Sequence, residues 1–206
     1  MEGISILEAR QLFGDNFIGK KELKSFFSEI NLPYDNIIEP SIQYTREQLE
    51  QCASDYILIL GVSSPEITIR SLRSHYGLNP DNSEPCFYNQ DWYLSEDFID
   101  NTLETKWYLL KKDVIEDSRA VMPLDLTKSG ISFPSAILCA YTFFAYYHAT
   151  GRFLWWHDFV WCSDLDHNGD RIYAGKYHDI DGVNKNGFSV HRHLALRPCY
   201  GAIVQI

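Results

Sequence analysis

A chain of 206 residues, 45% of them apolar and 22% charged, is long enough for one sizeable core and too apolar for wholesale disorder. Its formal charge of −10 argues against a nucleic-acid backbone or an anionic membrane as the main partner. The most apolar run, Ala136 to Tyr147, falls far short of the roughly 20 residues that span a bilayer.

The start, MEGISILEARQLFGD, lacks a basic stretch followed by an apolar run, so a cytoplasmic protein is expected. Cys52, Cys86, Cys139, Cys162 and Cys199 are irregularly spaced with no CxxC pair, which predicts reduced thiols and no intramolecular disulfide. Aromatic residues reach 15%; they suit a thick core first and a ligand surface second.

Ser5 with Glu8 forms a capping box that opens a first helix, stopped by Gly14. GKKELKSFFSEI repeats apolar residues at helical spacing, NLPYDNIIEP is a turn-rich link, and Thr45 with Gln48 starts a third helix running to about Ala53. DYILILGV, from Asp55 to Val62, predicts a buried strand. Ser64-Pro65 then predicts a helix start, with the helix running through Ile69, Leu72 and Tyr76 to Gly77. GVSSPE carries neither the phosphate-loop glycines nor a nucleophile elbow. Further on, Ser95 is expected to cap a helix to about Leu103, KWYLLKK reads as a strand, and the chain looks irregular up to Ser132.

PSAILCAYTFFAYYHATG, from Pro134, predicts a helix apolar on nearly every face, sandwiched between layers and stopped by Gly151. Short strands follow at Phe159 to Ser163, Arg171 to Gly175, Phe188 to His193 and Arg197 to Val204. Asn168-Gly169 predicts a two-residue hairpin turn with both residues at positive φ.

The order of a buried helix, strands carrying WCS (Trp161 to Ser163) and then GFSV (Gly187 to Val190) resembles the bacterial C-type-lectin-like fold, including domains related to the formylglycine-generating enzyme and Fibrobacter-type paralogous domains. The arginine typical of that run is displaced, with His191 after Val190 and Arg192 next. The resemblance covers about 60 residues and implies a scaffold that hosts binding more often than catalysis. In such a fold the stretch around Trp155, Trp156, His157 and Asp158 faces the ligand.

Six aspartates stand against Arg171 and Lys176 between His157 and Asp181, a local net charge of −4 with histidines neutral. SDLDHNGDRI places Asp164, Asp166, Asn168, Gly169 and Asp170 like a calcium loop, yet Arg171 and Gly175 occupy the positions that need an apolar residue and a bidentate acid. His191 and His193, two apart, point to one face of a strand and could share a zinc or iron ion, although no HExxH or HxD motif is present. Cys162 with His157 or His193 could form a nucleophilic pair, without any sign of thiol activation.

These residues predict an α+β protein: a helical segment over 1–50, and an α+β domain over 51–206 whose lectin-like half sets short antiparallel strands around a buried helix. The expected function is a binding or interaction module for a carbohydrate, peptide or protein, without cofactor. Its ligand residues are Trp155, Trp156, His157, Asp158, Asp164, Asp166 and Arg192. The alternatives are a metal-dependent enzyme using His191, His193 and nearby acids, or a structural subunit of an assembly. The site itself is expected to be a cleft with aromatic walls and a polar floor, lined by His157 and by His191 or His193.

Overall fold

The computed structural model describes residues 3–79, 81–177, 186–192 and 196–206. Helix α1, Ile6–Phe13, starts on the Ser5–Glu8 capping box and ends at Gly14. A two-residue strand, β1 (Phe17–Ile18), and helix α2 (Lys24–Glu29) follow. Helix α3, Arg46–Cys52, carries the Thr45–Gln48 capping box. Strand β2, Tyr56–Leu60, runs parallel to β1 and antiparallel to β3, Trp107–Lys111, in a sheet of order β1-β2-β3. The segment expected to be a helical lead-in therefore also supplies an edge strand.

Helix α4, Ile69–Tyr76, begins later than Ser64-Pro65 predicts: Thr68 is its N-cap and accepts from the Ser71 N–H. The Ser64 hydroxyl is instead committed to Glu66, inside a turn closed by the Ile67 N–H on the Ser64 carbonyl. The helix expected from Ser95 is only one turn of 3-10 helix, Asp97–Asp100, without a side-chain cap. Glu96 spends its carboxylate on His167, and Asn101 takes an extended backbone that stops further winding. Within the stretch expected to be irregular, Pro123–Lys128 forms helix α5, with proline in its first turn. Six residues are too few for a periodicity to show.

Helix α6, Ala136–Thr150, is capped by Ser135 and closed by Gly151 at φ 71°. Its residues 136–146 are all buried. It packs against α2 and α4, and also against strands β4 (Phe159–Leu165), β5 (Arg171–Tyr177) and β6 (Gly187–Arg192). With β7, Tyr200–Gly201, these strands form a second sheet of order β6-β5-β4-β7, in which β7 alone is parallel to its neighbour.

The strand expected over Arg197 to Val204 is reduced to β7. Pro198 has no N–H to give, and beyond Gly201 the tail leaves the second sheet for the first. Ala202 and Val204 accept from Ile115 and Lys111, and the Ile206 N–H reaches the Leu109 carbonyl. Stretch 86–88 runs beside β6: Phe188 N–H donates to the Cys86 carbonyl, and Tyr88 N–H to the Phe188 carbonyl, both at 2.9 Å. Gly187 makes that approach possible, since at φ 119° an added Cβ would stand 2.7 Å from the Cys86 oxygen.

The β4–β5 connection corrects the turn expected at Asn168-Gly169. Gly169 has φ 85°, whereas Asn168 is not among the positive-φ residues. The Gly169 N–H returns to the Asp166 carbonyl, and the Asp166 N–H takes the Asp170 carbonyl. This is a three-residue loop ending on a left-handed glycine. The Asp166 side chain selects it by accepting from the N–H groups of Asn168 and Asp170.

Mixed helices and sheets make the fold α+β. One apolar cluster gathers Leu49, Leu58, Phe144 and Phe188, so residues before and after position 50 share a core. No helix among the described residues is long and apolar enough to cross a membrane.

Candidate functional site

Strand alternation divides the second sheet into two faces. Val160, Cys162, Ile172, Ala174, Phe188 and Val190 belong to the core around α6. Phe159, Trp161, Tyr173 and Tyr200 form a separate cluster on the other face, closed beneath by Leu126 and Phe133. Here lies a cleft of about 410 Å³, whose lining includes His157, Phe159, Tyr173, His191, Arg197, Cys199 and Tyr200.

Its walls are aromatic rings in mutual contact. Phe159 meets Tyr173 and Tyr200 edge-on at 5.7 Å each. Tyr173 stacks on His191 at 5.3 Å and 20°. The Tyr173 hydroxyl donates to Tyr200 Oη at 3.2 Å, and burial pushes the Tyr173 phenol well above its ordinary pKa, keeping it neutral. Burial raises the Cys199 thiol in the same way, which makes it a poor nucleophile. His191 is fixed by Gln90 Nε2, 3.0 Å from its Nδ1, and by Ser189 Oγ, 3.1 Å from its Nε2.

His157 enters from the turn before β4. Trp155 and His157 both take left-handed backbones, φ 50° and 62°, a conformation that costs a non-glycine residue about 1–3 kcal/mol. Gly175 lets this turn lie against β5: a Cβ there would sit 2.1 Å from the Asp158 carbonyl oxygen.

The structure thus brings His157 and His191 to one cleft and sends the other expected site residues elsewhere. Trp155 is buried, its indole N–H donating to the Lys112 carbonyl at 3.1 Å. Trp156 covers Lys176, with Nζ 4.0 Å from the ring centroid. Asp158 holds Arg119 through two contacts of 2.7 and 3.1 Å. Asp164 accepts from the Ala136 N–H at 2.6 Å, at the start of α6, and from Asn101. Asp166 pairs with Arg192 at 3.1 Å, while the Arg192 guanidinium lies 5.0 Å over Trp92. His193 lies outside the described residues.

The calcium-like loop is therefore a clamp. Burial raises the Asp166 pKa, but its backbone hydrogen bonds and Arg192 outweigh that and hold the carboxyl below its ordinary value. Glu96, Asp166 and His167 do approach one another closely enough to hold a cation. Their four carboxylate oxygens are already engaged, by the His167 ring and N–H, by the Asn168 and Asp170 N–H groups and by Arg192. A metal at His191 would likewise have to displace Gln90 or Ser189.

Two further features were not expected. Lys176, fully buried, has its Nζ 2.8 Å from Glu84 Oε1 without an aligned hydrogen bond. By alternation its side chain points away from Tyr173, yet the residue also borders the aromatic cleft beside His157. A second cleft, about 570 Å³, lies where α2, α4 and α6 end, lined by Glu29, His75, Tyr76, Asp81, Glu84 and His148. Its polar groups answer each other: the Tyr76 hydroxyl lies 2.8 Å from His148 Nε2, and His75 lies 3.3 Å from Glu29. Burial lowers the His148 pKa and favours the neutral ring.

Sequence reasoning missed Phe159, Tyr173, Arg197 and Tyr200. Alternation along β4 and β5 was the available signal, because Tyr173 pairs with His191 in register. Among known proteins, no family model, no curated protein and no solved structure matches this chain.

Proposed function

We propose that the protein is a ligand-binding module whose site is the cleft between the turn at His157 and the outer face of the second sheet. One observation carries this reading: His157 and His191, separated by more than 30 residues, line one cleft whose walls are Phe159, Tyr173 and Tyr200. A face rich in rings with polar edges, held in place by buried neighbours, is the usual make-up of a small-molecule or peptide site. The left-handed backbone at His157 agrees, since such conformations concentrate where a side chain must be presented. We read the scaffold as C-type-lectin-like on the positions of WCS in β4 and GFSV in β6, the two strands that flank β5.

The test is a screen of small sugars, organic acids and short peptides by thermal stabilisation, with the ring resonances of His157 and His191 as locators. Hits should shift both rings and should weaken in His157→Ala. Hits that leave both rings unmoved and tolerate His157→Ala would move the site elsewhere and overturn the reading.

A further inference from the structure

Resting on the cleft reading above, we propose that the ligand is a small organic carboxylate with an apolar body, drawn in by Arg197. The chain as a whole repels anions, carrying a formal −10, so a cleft whose described lining is basic is the exception that needs a reason. Among the described residues lining the cleft are Arg197, His157, His191 and Lys176, whose ammonium is already paired with Glu84, and no Asp or Glu. The nearest acid in sequence, Asp158, is withdrawn: Arg119 holds both its carboxylate oxygens, at 2.7 and 3.1 Å.

Arg197 is not used up in the same way. It is exposed, and its guanidinium makes no ion pair or hydrogen bond among the described residues. Its charge nevertheless reaches Tyr173 and Cys199 in the cleft; at Cys199 the Asp158 carboxylate acts in the opposite sense and Arg119 in the same sense as Arg197. An uncommitted guanidinium above aromatic walls matches a carboxylate by fork geometry and an apolar body by the rings beneath it. A neutral sugar would leave Arg197 unanswered. A cavity of about 410 Å³ sits at the small end of the range for ligand pockets.

Benzoate and its neutral isostere benzamide isolate the charge, and an acetylated tripeptide ending in phenylalanine, as free acid or amide, separates a free acid from a peptide terminus. Each is titrated into the full chain while the His157 and His191 ring resonances are followed. The carboxylate of each pair should bind at least about tenfold more tightly than its amide. Added salt should shrink that preference. Arg197→Gln, at an exposed position, should reduce it to near unity. Equal or stronger binding of the amides at these rings, or a preference untouched by Arg197→Gln, overturns the carboxylate assignment and leaves the cleft reading standing. If compounds from the broader screen move the two rings but no carboxylate does, the assignment again fails alone. If no compound of any class moves them, both fail.

Discussion

The two faces of the second sheet are made by the same strands, yet they differ in kind. Toward α6 the side chains are Val160, Cys162, Ile172, Ala174, Phe188 and Val190, nearly all without polar atoms, packed into the main core. On the opposite face Phe159, Trp161, Tyr173, His191 and Tyr200 combine rings with hydroxyl and imidazole groups, and several border open space. Because strand side chains alternate, one register sets both faces, and a one-residue slip would exchange them. The difference teaches where stability and recognition should separate: inner substitutions should be felt mainly in folding, outer ones mainly in binding.

Phe188→Ala tests the inner face most severely. Phe188 is fully buried and touches Phe87, Phe143 and Phe144, so its loss should cost about 3–5 kcal/mol. Urea denaturation should show the midpoint falling accordingly, and a change under about 1 kcal/mol would contradict the packing described.

Lys176 is a fully buried charge on the inner face. Glu84→Gln removes the partner of a fully buried ammonium and should destabilise by about 3 kcal/mol. Adding Lys176→Met should recover a large part of that loss. A double variant no better than Glu84→Gln would show that the ion pair is not what the ammonium depends on.

Asp166→Asn probes the loop that joins the faces, and its effect depends on pH. The Asp166 carboxyl has a folded pKa below its unfolded value. The stability it confers is therefore present above the unfolded pKa and is lost as pH falls through the folded one. At neutral pH the substitution should cost about 1.5–3 kcal/mol, and the gap from the parent should close below roughly pH 4. A gap that stays constant into acid would contradict the charged clamp. In the same loop Gly169→Val should cost about 1–2 kcal/mol at φ 85°, whereas Asn168→Ala should cost less, because only Gly169 is left-handed.

The mildest change tests the outer face. Tyr200→Phe deletes the acceptor of the Tyr173 hydroxyl and should lower stability by only about 1 kcal/mol. If it unfolds the protein as Phe188→Ala does, the two faces are not distinct in the way drawn here.

Local rules were legible in the sequence wherever one residue did one job. Ser5 with Glu8, Thr45 with Gln48 and Gly151 cap their helices as read, and the apolar run after Pro134 became the central buried helix. Thr68, Glu96 and Pro123 were misread or overlooked because each depends on a partner: Ser71 for the cap, His167 for the carboxylate, and the neighbouring strands for a helix of only six residues. In the site, His157 and His191 were legible as unusual residues. The aspartates around them were not, since a carboxylate is equally apt to clamp a loop, start a helix or hold an arginine. Only distances assign Asp166, Asp164 and Asp158 to those three tasks.

Stretch 86–88, laid against β6, has a consequence for how the protein behaves in crowded solution. A bare edge strand offers a row of unpaired N–H and C=O groups on which another chain can template itself, the first step of aggregation. Here Phe188 exchanges both its backbone groups with that stretch, and the Trp92 indole N–H covers the Val190 carbonyl at 3.0 Å. Gly187 controls this covering, since any larger residue would push the stretch away. A Gly187 variant would therefore expose a ladder for intermolecular pairing and should first show itself as insolubility rather than as a lost ligand.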